Sequence, residues 1–346
     1  MAPLLITGLA IVPAATASHA ASPWPTLPAL SGFGSSTAAG SKGAAVKVTN
    51  LNDSGPGSLR TALAGNKRVI KFSVGGTINL KSQLIVRNQS NLSLLGTSAP
   101  SPGITLTGFG LTIRNSHDVI VQGIRVRNTA DDNMAVWDGS YNVVVDHCSL
   151  ANSGDGNIDI TENTHDVTVS WTLIGDSRPD SYTLKSKATL IANFNEAPVT
   201  RVSLHNNAWI NIFQRSPQVS TKGVVDIRNN VMAGWGYYGV RLRAGAMANV
   251  VNNYMASPIH SSDALVIEGD SVPGDGLGAG PTFVSGNAGT SGSTINSLSN
   301  ALQPYSVAAV PTAAAGALPS SVVAKSGVFP RDALDAQLLG GVSVLH

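Results

Sequence analysis

From residue 115 onward the chain alternates short β-branched runs with polar turn residues at a nearly constant period. The stretch Asn115-Ser116-His117-Asp118-Val119-Ile120-Val121 returns as Gly139-Ser140-Tyr141-Asn142-Val143-Val144-Val145 and again as Asn163-Thr164-His165-Asp166-Val167-Thr168-Val169, with positions 118, 142 and 166 spaced 24 residues apart. Asn206-Asn207, Asn229-Asn230 and Asn252-Asn253 then recur at 23 residues. A polar turn feeding a Val-x-Val run predicts a strand. A strand that returns every 22 to 25 residues without an intervening helical pattern predicts coils stacked on one another. Each coil then lies about 4.8 Å above the last in a parallel ladder. The predicted fold is all-β, a right-handed, single-stranded parallel β-helix.

Stacking gives the asparagines a role. Residues one coil apart sit above one another, so inward Asn side chains can form a hydrogen-bonded ladder, with Asn229 as one of its amides. The plainer alternative is that each Asn-Asn pair marks an ordinary turn.

Before the repeat, Val46 to Thr49, Val69 to Val74, Leu84 to Val86, Leu92 to Leu95 and Ile104 to Ile113 read as strands, with glycine- and asparagine-rich loops between them. Ser54-Gly55-Pro56-Gly57 predicts a turn, and Ser58 can cap a short helix through Ala64. That helix would close the apolar end of the coil stack. Residues 259–346 lack the repeat and are rich in Gly, Ala, Ser and Pro, so they are expected to pack as loops over the coils and the far end.

Residues 1–20 carry the apolar run Leu4 to Ala17 followed by Ser18-His19-Ala20, which fits a secretory signal peptide lacking a basic start. The run is too short to span a membrane. Residues 21–346 are read as one domain, and the protein as secreted and monomeric. The single cysteine, Cys148, excludes an internal disulfide and reads as a small buried residue. The formal charge is +2, which does not suggest a nucleic-acid partner, although a few cations in one groove could serve an acidic substrate.

Several motifs together resemble secreted pectate lyases of polysaccharide lyase family 1. They are the opening Gly32 to Leu63, then Val143-Val144-Val145-Asp146-His147-Cys148-Ser149-Leu150, Asp155-Gly156-Asn157-Ile158-Asp159 and Val167-Thr168-Val169-Ser170-Trp171. Leu204-His205-Asn206-Asn207, Gln214-Arg215-Ser216-Pro217 and the tail Pro330-Arg331-Asp332-Ala333-Leu334-Asp335 complete the set. The resemblance implies a parallel β-helix that cleaves α-1,4-polygalacturonate by β-elimination. A base removes the C5 proton and the C4 oxygen leaves. That step builds negative charge beside a carboxylate, so the site must supply cations.

The same resemblance implies Ca2+ held by Asp132, Asp155 and Asp159, where oxygen ligands suit the ion. Asp131 and Asn133 remain alternatives to Asp132. Lys187, in Lys187-Ala188-Thr189-Leu190-Ile191-Ala192, corresponds to the family's binder of a substrate carboxylate, with Lys185 as its competitor. Arg215 corresponds to the residue taken as the base, an uncomfortable role because a guanidinium is ordinarily protonated. This chain departs from the family where Gln218 and Ser220 replace further arginines, a loss that Lys222, Arg241 or Arg243 could offset.

Other readings stay open. Asp155 and Asp159 could be plain turn residues, and Lys187 a solvated lysine. His147, His165 and His205 suit stacking or hydrogen bonding better than zinc, because their stations differ from coil to coil. Trp235, Tyr237 and Tyr238 either line a sugar platform or cover the stack. At the level of function, the alternatives are a pectin lyase acting on methyl esters and a non-catalytic carbohydrate-binding β-helix.

Overall fold

The computed structural model describes residues 24–177, 186–195, 197–261, 263–270 and 276–340. Every strand pairing is parallel, and among the described residues the strands form three sheets of ten, eight and eight strands. Successive strands of the chain pass from sheet to sheet, and the same sheet is met again one coil later. The fold is a right-handed parallel β-helix.

The repeat is the register. His117, Tyr141 and His165 are paired neighbours in the ten-stranded sheet, and their rings stack at 4.7 and 5.2 Å between centroids. Asp118, Asn142 and Asp166 adopt left-handed backbone at φ of 54, 52 and 54°, which Asn and Asp tolerate better than other side-chain-bearing residues. Inward residues stack into aliphatic columns. One runs Ile113, Val136, Ile160, Ile191, Val219, Leu242, all fully buried. Each column packs against those of the other two sheets in one continuous core.

The asparagine ladder exists, but the second member of each pair carries it. Asn207 Nδ2 donates to Asn230 Oδ1 at 3.1 Å, Asn230 to Asn253 at 3.0 Å, and Asn253 to Asn287 at 3.0 Å. Asn206, Asn229 and Asn252 instead occupy the left-handed corner at φ of 58, 55 and 51°. Asn229 therefore is not a ladder amide: its Nδ2 donates to Pro311 O of the tail at 2.7 Å. The two halves of each pair divide the work, one bending the backbone and the other satisfying buried polar groups.

The short helix forms at Leu59–Leu63, where the Ser58 side chain accepts the Thr61 N–H. It buries Leu59, Ala62 and Leu63 over the first coil. The stretch read as one strand from Ile104 to Ile113 is two, Ile104–Gly108 and Leu111–Arg114, because the chain turns a corner into another sheet. A strand at Gly76–Asn79 had no clear sequence signal.

The tail does more than cover the far end. Leu265–Ile267 and Thr282–Ser285 extend the sheets, so coiling continues past residue 259. Helices Leu318–Lys325 and Ala333–Gly340 then run back along the flank, packing Leu318, Val322 and Leu338 on Leu173, Ala208 and Val231. Buried Asp335 receives Arg127 Nη2 at 2.5 Å and Arg125 Nε at 3.4 Å, and Asp332 receives Arg127 Nη1 at 2.5 Å. The proposed signal peptide lies outside the described residues.

Candidate active site

Along the eight-stranded sheet of Leu84–Arg87, Leu111–Arg114, Met134–Trp137 and their successors, outward residues form two parallel rows. One row runs Ile85, Thr112, Ala135, Asp159, Leu190, Gln218, Arg241. The other runs Arg87, Arg114, Trp137, Thr161, Ala192, Ser220, Arg243. Strand pairing leaves no register for Thr161 against Trp137, but Val136 pairs with Ile160 immediately before them. A groove of about 510 Å³ lies over the first coils of these rows.

Carboxylates converge at the edge of this groove. Asp131 and Asp132 end the turn before Met134–Trp137, and Asp155 ends the turn before Gly156–Thr161, one coil on. Oxygens of Asp131, Asp132 and Asp155 all lie within 4.8 Å of one another. Asp159 stands outside that trio but adjoins it: Gly156 N–H donates to Asp132 Oδ1 at 2.7 Å, and a Cβ on Gly156 would meet Asp159 Oδ1 at 2.6 Å and Asp132 Oδ1 at 2.9 Å. Glycine at 156 is what lets the two carboxylates close over the backbone.

The electrostatics match that crowding. Burial pushes the Asp132 carboxyl up to about 6, and the charges of Asp131 and Asp155 add to it, against the Gly156 N–H and the Arg215 charge. Burial, followed by the charge of Asp132, holds Asp159 well above the usual carboxylate range, with Arg215 opposing and Asp155 adding. Four carboxylates held this close are unfavourable without a cation, and a hard, all-oxygen donor set fits calcium. Asn133 does not belong to it. Its fully buried side chain donates to Asn157 Oδ1 at 2.7 Å and Ala151 O at 3.1 Å, an internal ladder like that of Asn207.

Lys187 starts the strand Lys187–Ala192, directly beside Gly156, and its Nζ ion-pairs with Asp155. It therefore stands at the carboxylate cluster. Lys185 lies outside the described residues. Arg215 comes from the coil after Lys187, whose neighbour Thr189 donates its N–H to Arg215 O at 2.7 Å. It holds left-handed backbone at φ 68°, and its buried Nε has no hydrogen-bond partner. A left-handed backbone at a non-glycine residue and an unpartnered Nε, on a side chain whose charge reaches Asp132 and Asp159, are features of functional sites.

The departures at Gln218 and Ser220 are filled from within. Gln218 Nε2 donates to Ser220 Oγ at 3.2 Å, and the Tyr238 hydroxyl donates to Gln218 Oε1. Arg241 and Arg243 lie one coil above them, in register. Both pair with Glu268, Arg241 Nε at 2.5 Å and Arg243 Nε at 3.0 Å. Lys222 lines a different cavity with Asn193, Pro198 and Ala244.

The remaining candidates are structural. His147 Nδ1 and Asp146 Oδ2 are 2.7 Å apart, and the ring stacks on Trp171 at 5.9 Å. His165 Nδ1 faces Asp166 Oδ2 at 2.7 Å, and His205 Nδ1 faces Asn206 Oδ1 at 2.9 Å. Among the described residues, no histidine joins a cluster of metal-binding size. Cys148 is fully buried, and burial pushes its thiol up to about 12. The aromatic cluster divides: Trp235 and Tyr238 are buried, whereas Tyr237 is 52% exposed. Asp131 was legible only as an alternative, and Trp137 and Glu162, which line the groove, gave no signal in the sequence.

Comparison with known proteins bears on the family. A family model described as pectate lyase matches residues 10–328. A probable pectate lyase C of Aspergillus terreus is 32% identical over 274 residues, covering 72% of this chain and 58% of the relative. One from Emericella nidulans is 33% identical over 235 residues, covering 66% and 52%. The chain thus spans little more than half the length of these relatives. Among solved structures, pectate lyase Bsp165PelA from Bacillus sp. N165, in complex with trigalacturonate, has a TM-score of 0.68 at 20% identity, covering 86% of this chain and 98% of that one. Jun a 1, the major cedar pollen allergen, likewise has a TM-score of 0.68 at 20% identity, covering 87% and 93%. At such identities the structural likeness speaks for the fold alone. The span of the family match carries the assignment: the chain belongs to the pectate lyase family.

Proposed function

We propose that this protein cleaves α-1,4-polygalacturonate by calcium-dependent β-elimination, yielding unsaturated oligogalacturonides. The observation that carries the reading is the convergence of Asp131, Asp132, Asp155 and Asp159 from two successive coils, with Lys187 and Arg215 on the next two. Asp132, Asp155 and Asp159 would hold calcium, with Asp131 beside them. A calcium ion there would polarise the uronate carboxylate and offset the charge that develops as C5 loses its proton.

Lys187 would exchange its Asp155 partner for a substrate carboxylate and fix the sugar in the groove. Arg215 would take the C5 proton as the C4–O bond breaks and the C4–C5 double bond forms; the departing C4 oxygen takes up a proton. A guanidinium ordinarily stays protonated, so alkaline working conditions accompany this role. Such a substrate is an extracellular polymer, which suits secretion, and no helix among the described residues is long and apolar enough to cross a membrane. A monomer suffices, since every group invoked comes from one chain.

The non-catalytic reading has one observation in its favour. Arg241 and Arg243, which could replace the missing arginines, are tied to Glu268. Incubation with polygalacturonate and with highly methylated pectin, with and without a chelator, separates the readings through the near-UV absorbance of the unsaturated product. The proposal expects product from polygalacturonate that a chelator abolishes. Product from methylated pectin alone, indifferent to chelator, indicates a pectin lyase, and no product in any arm indicates a binding protein.

A further inference from the structure

Charge is shared unevenly along the coils. Residues 1–117 hold nine of the 22 Lys and Arg but one of the 20 Asp and Glu. Nine cations against one acid make that stretch +8, which leaves −6 for the other residues of a chain that is +2 overall. The one acid, Asp53, is taken by Arg60 at 2.6 Å. Arg68 is occupied too, its Nη1 donating to the Ala62 carbonyl at 2.9 Å. Asp118, the next acid along the chain, faces His117 Nδ1 at 2.7 Å and accepts from Asn142 Nδ2 at 3.2 Å. Lys42, Lys47, Lys67 and Lys71 remain, all exposed and, among the described residues, without an ion-pair partner.

The register gathers these four. Lys47 on Ala44–Val48 is paired with Lys71 on Arg68–Phe72, so the two side chains leave the same face of the ten-stranded sheet, about 4.8 Å apart at the backbone. Lys42 and Lys67 precede those strands and share a cavity of about 280 Å³ with Asn91. Like charges side by side repel, a cost that an anion removes. Elsewhere in the corner column of Lys67 a cation is neutralised: Arg201 Nε donates to Asp166 Oδ1, one coil below, at 2.6 Å. Lys67 has Asn91 as its neighbour instead. Protection of a sheet edge accounts for a lysine on the outermost strand, Ala44–Val48. It does not account for Lys71, whose strand is paired on both sides.

The surroundings select the kind of anion. Between positions 41 and 100 the one aromatic residue is Phe72, and it is buried. Single-stranded nucleic acid relies on aromatic stacking and a lipid surface on inserted apolar side chains, neither of which this face presents. A chain of carboxylates needs only point charges at intervals. We propose that Lys42, Lys47, Lys67 and Lys71 form a docking face for an acidic polysaccharide, outside the catalytic groove. The proposal rests on the activity proposed above for the identity of that polymer, the unesterified substrate itself. Face and groove meet at the N-terminal coils: Arg87 lines the groove, and the strand that follows it, Ser90–Leu95, pairs with the strand of Lys71. An enzyme held by this face stays on the polymer between cleavages.

Retardation in native gels cast with polygalacturonate and run in chelator, relative to gels without polymer, reads the face without turnover. Polygalacturonate should retard the parent, highly methylated pectin should not, and the effect should fall with salt. A variant carrying Lys42→Gln, Lys47→Gln, Lys67→Gln and Lys71→Gln should bind about tenfold more weakly, each exposed ion pair contributing a modest factor. Lys71→Gln alone should lose more than Lys325→Gln, which removes the same charge on the flank. In calcium, the fourfold variant should show a KM for long polygalacturonate raised by a similar factor, with turnover of a short oligogalacturonate at the parent's value. Equal retardation of the parent and the fourfold variant overturns the face and leaves the lyase intact. Tighter binding of the parent to duplex DNA or to phosphatidylserine vesicles than to polygalacturonate overturns the choice of polymer. Absent turnover removes the lyase reading, and the gels in chelator then still decide the face.

Discussion

Asp132 and Asp159 belong to successive coils yet flank the same backbone atom. A Cβ placed on Gly156 would lie 2.9 Å from Asp132 Oδ1 and 2.6 Å from Asp159 Oδ1. The carboxylates converge because residue 156 has no side chain to keep them apart. Ala135, paired with Asp159 one coil below, adds little bulk on the other side.

Gly156→Ala should therefore push the carboxylates apart without touching the core. Calcium affinity should fall by about 10–100-fold, the range seen when groups supporting a metal site are disturbed. Calcium should raise the melting temperature of the parent by mass action and that of the variant much less. Calorimetric titration and thermal scans in chelator and in calcium check both. Equal calcium affinity in the two proteins would detach the carboxylates from metal binding.

The ladder separates two asparagines that the sequence presents as equals. Asn230→Leu removes the side-chain acceptor of the Asn207 backbone N–H and Nδ2 and the side-chain donor to Leu204 O and Asn253 Oδ1 inside the core. It should destabilise the fold by about 1–3 kcal/mol for each polar group left unpaired. Asn229→Gly keeps the left-handed corner that glycine accepts readily and gives up the bond to the Pro311 carbonyl, so it should cost less. Denaturant unfolding of both variants measures the difference, and a larger loss at 229 would reverse the assignment.

The tail should be sensitive to acid. Burial raises Asp332, but the Asp335 N–H and the Arg127 and Arg125 charges outweigh it and hold its carboxyl below the usual range. A carboxylate with a depressed folded pKa contributes stability above its unfolded value, about 3.9. That contribution is lost as pH falls through the lower folded value. Asp332→Asn should thus melt below the parent at neutral pH, and the gap should close below about pH 4. Melting curves across pH test this; a gap that widens in acid contradicts the pairing.

Periodicity made most of the coil stack legible. The 24-residue return of positions 118, 142 and 166 is the observed register. The Asn pairs were visible, but not which member faced inward, because both fall at one corner and only the backbone angles tell them apart. Asp132 and Asp155 stand together, and Lys187 pairs with Asp155. What the sequence hid depends on long-range folding back. Arg125 meets Asp335 across 210 positions, and Phe194 reaches the groove from a loop two coils beyond Trp137. No local pattern encodes such meetings.

Arg215 carries the central claim, and its unpartnered Nε sets it apart from arginines such as Arg201 and Arg228, whose Nε atoms donate to carboxylates. The most direct measurement is turnover of polygalacturonate at saturating calcium by the parent, Arg215→Lys and Lys187→Ala, alongside oligogalacturonate affinities. If Arg215 takes the C5 proton, Arg215→Lys keeps the charge and binds substrate nearly as the parent does, while kcat falls by about 10²–10⁴-fold. Lys187→Ala should weaken binding as well as turnover, because a carboxylate contact exists before the transition state. An Arg215→Lys protein with the parent's kcat would contradict the account and remove Arg215 from the proton transfer.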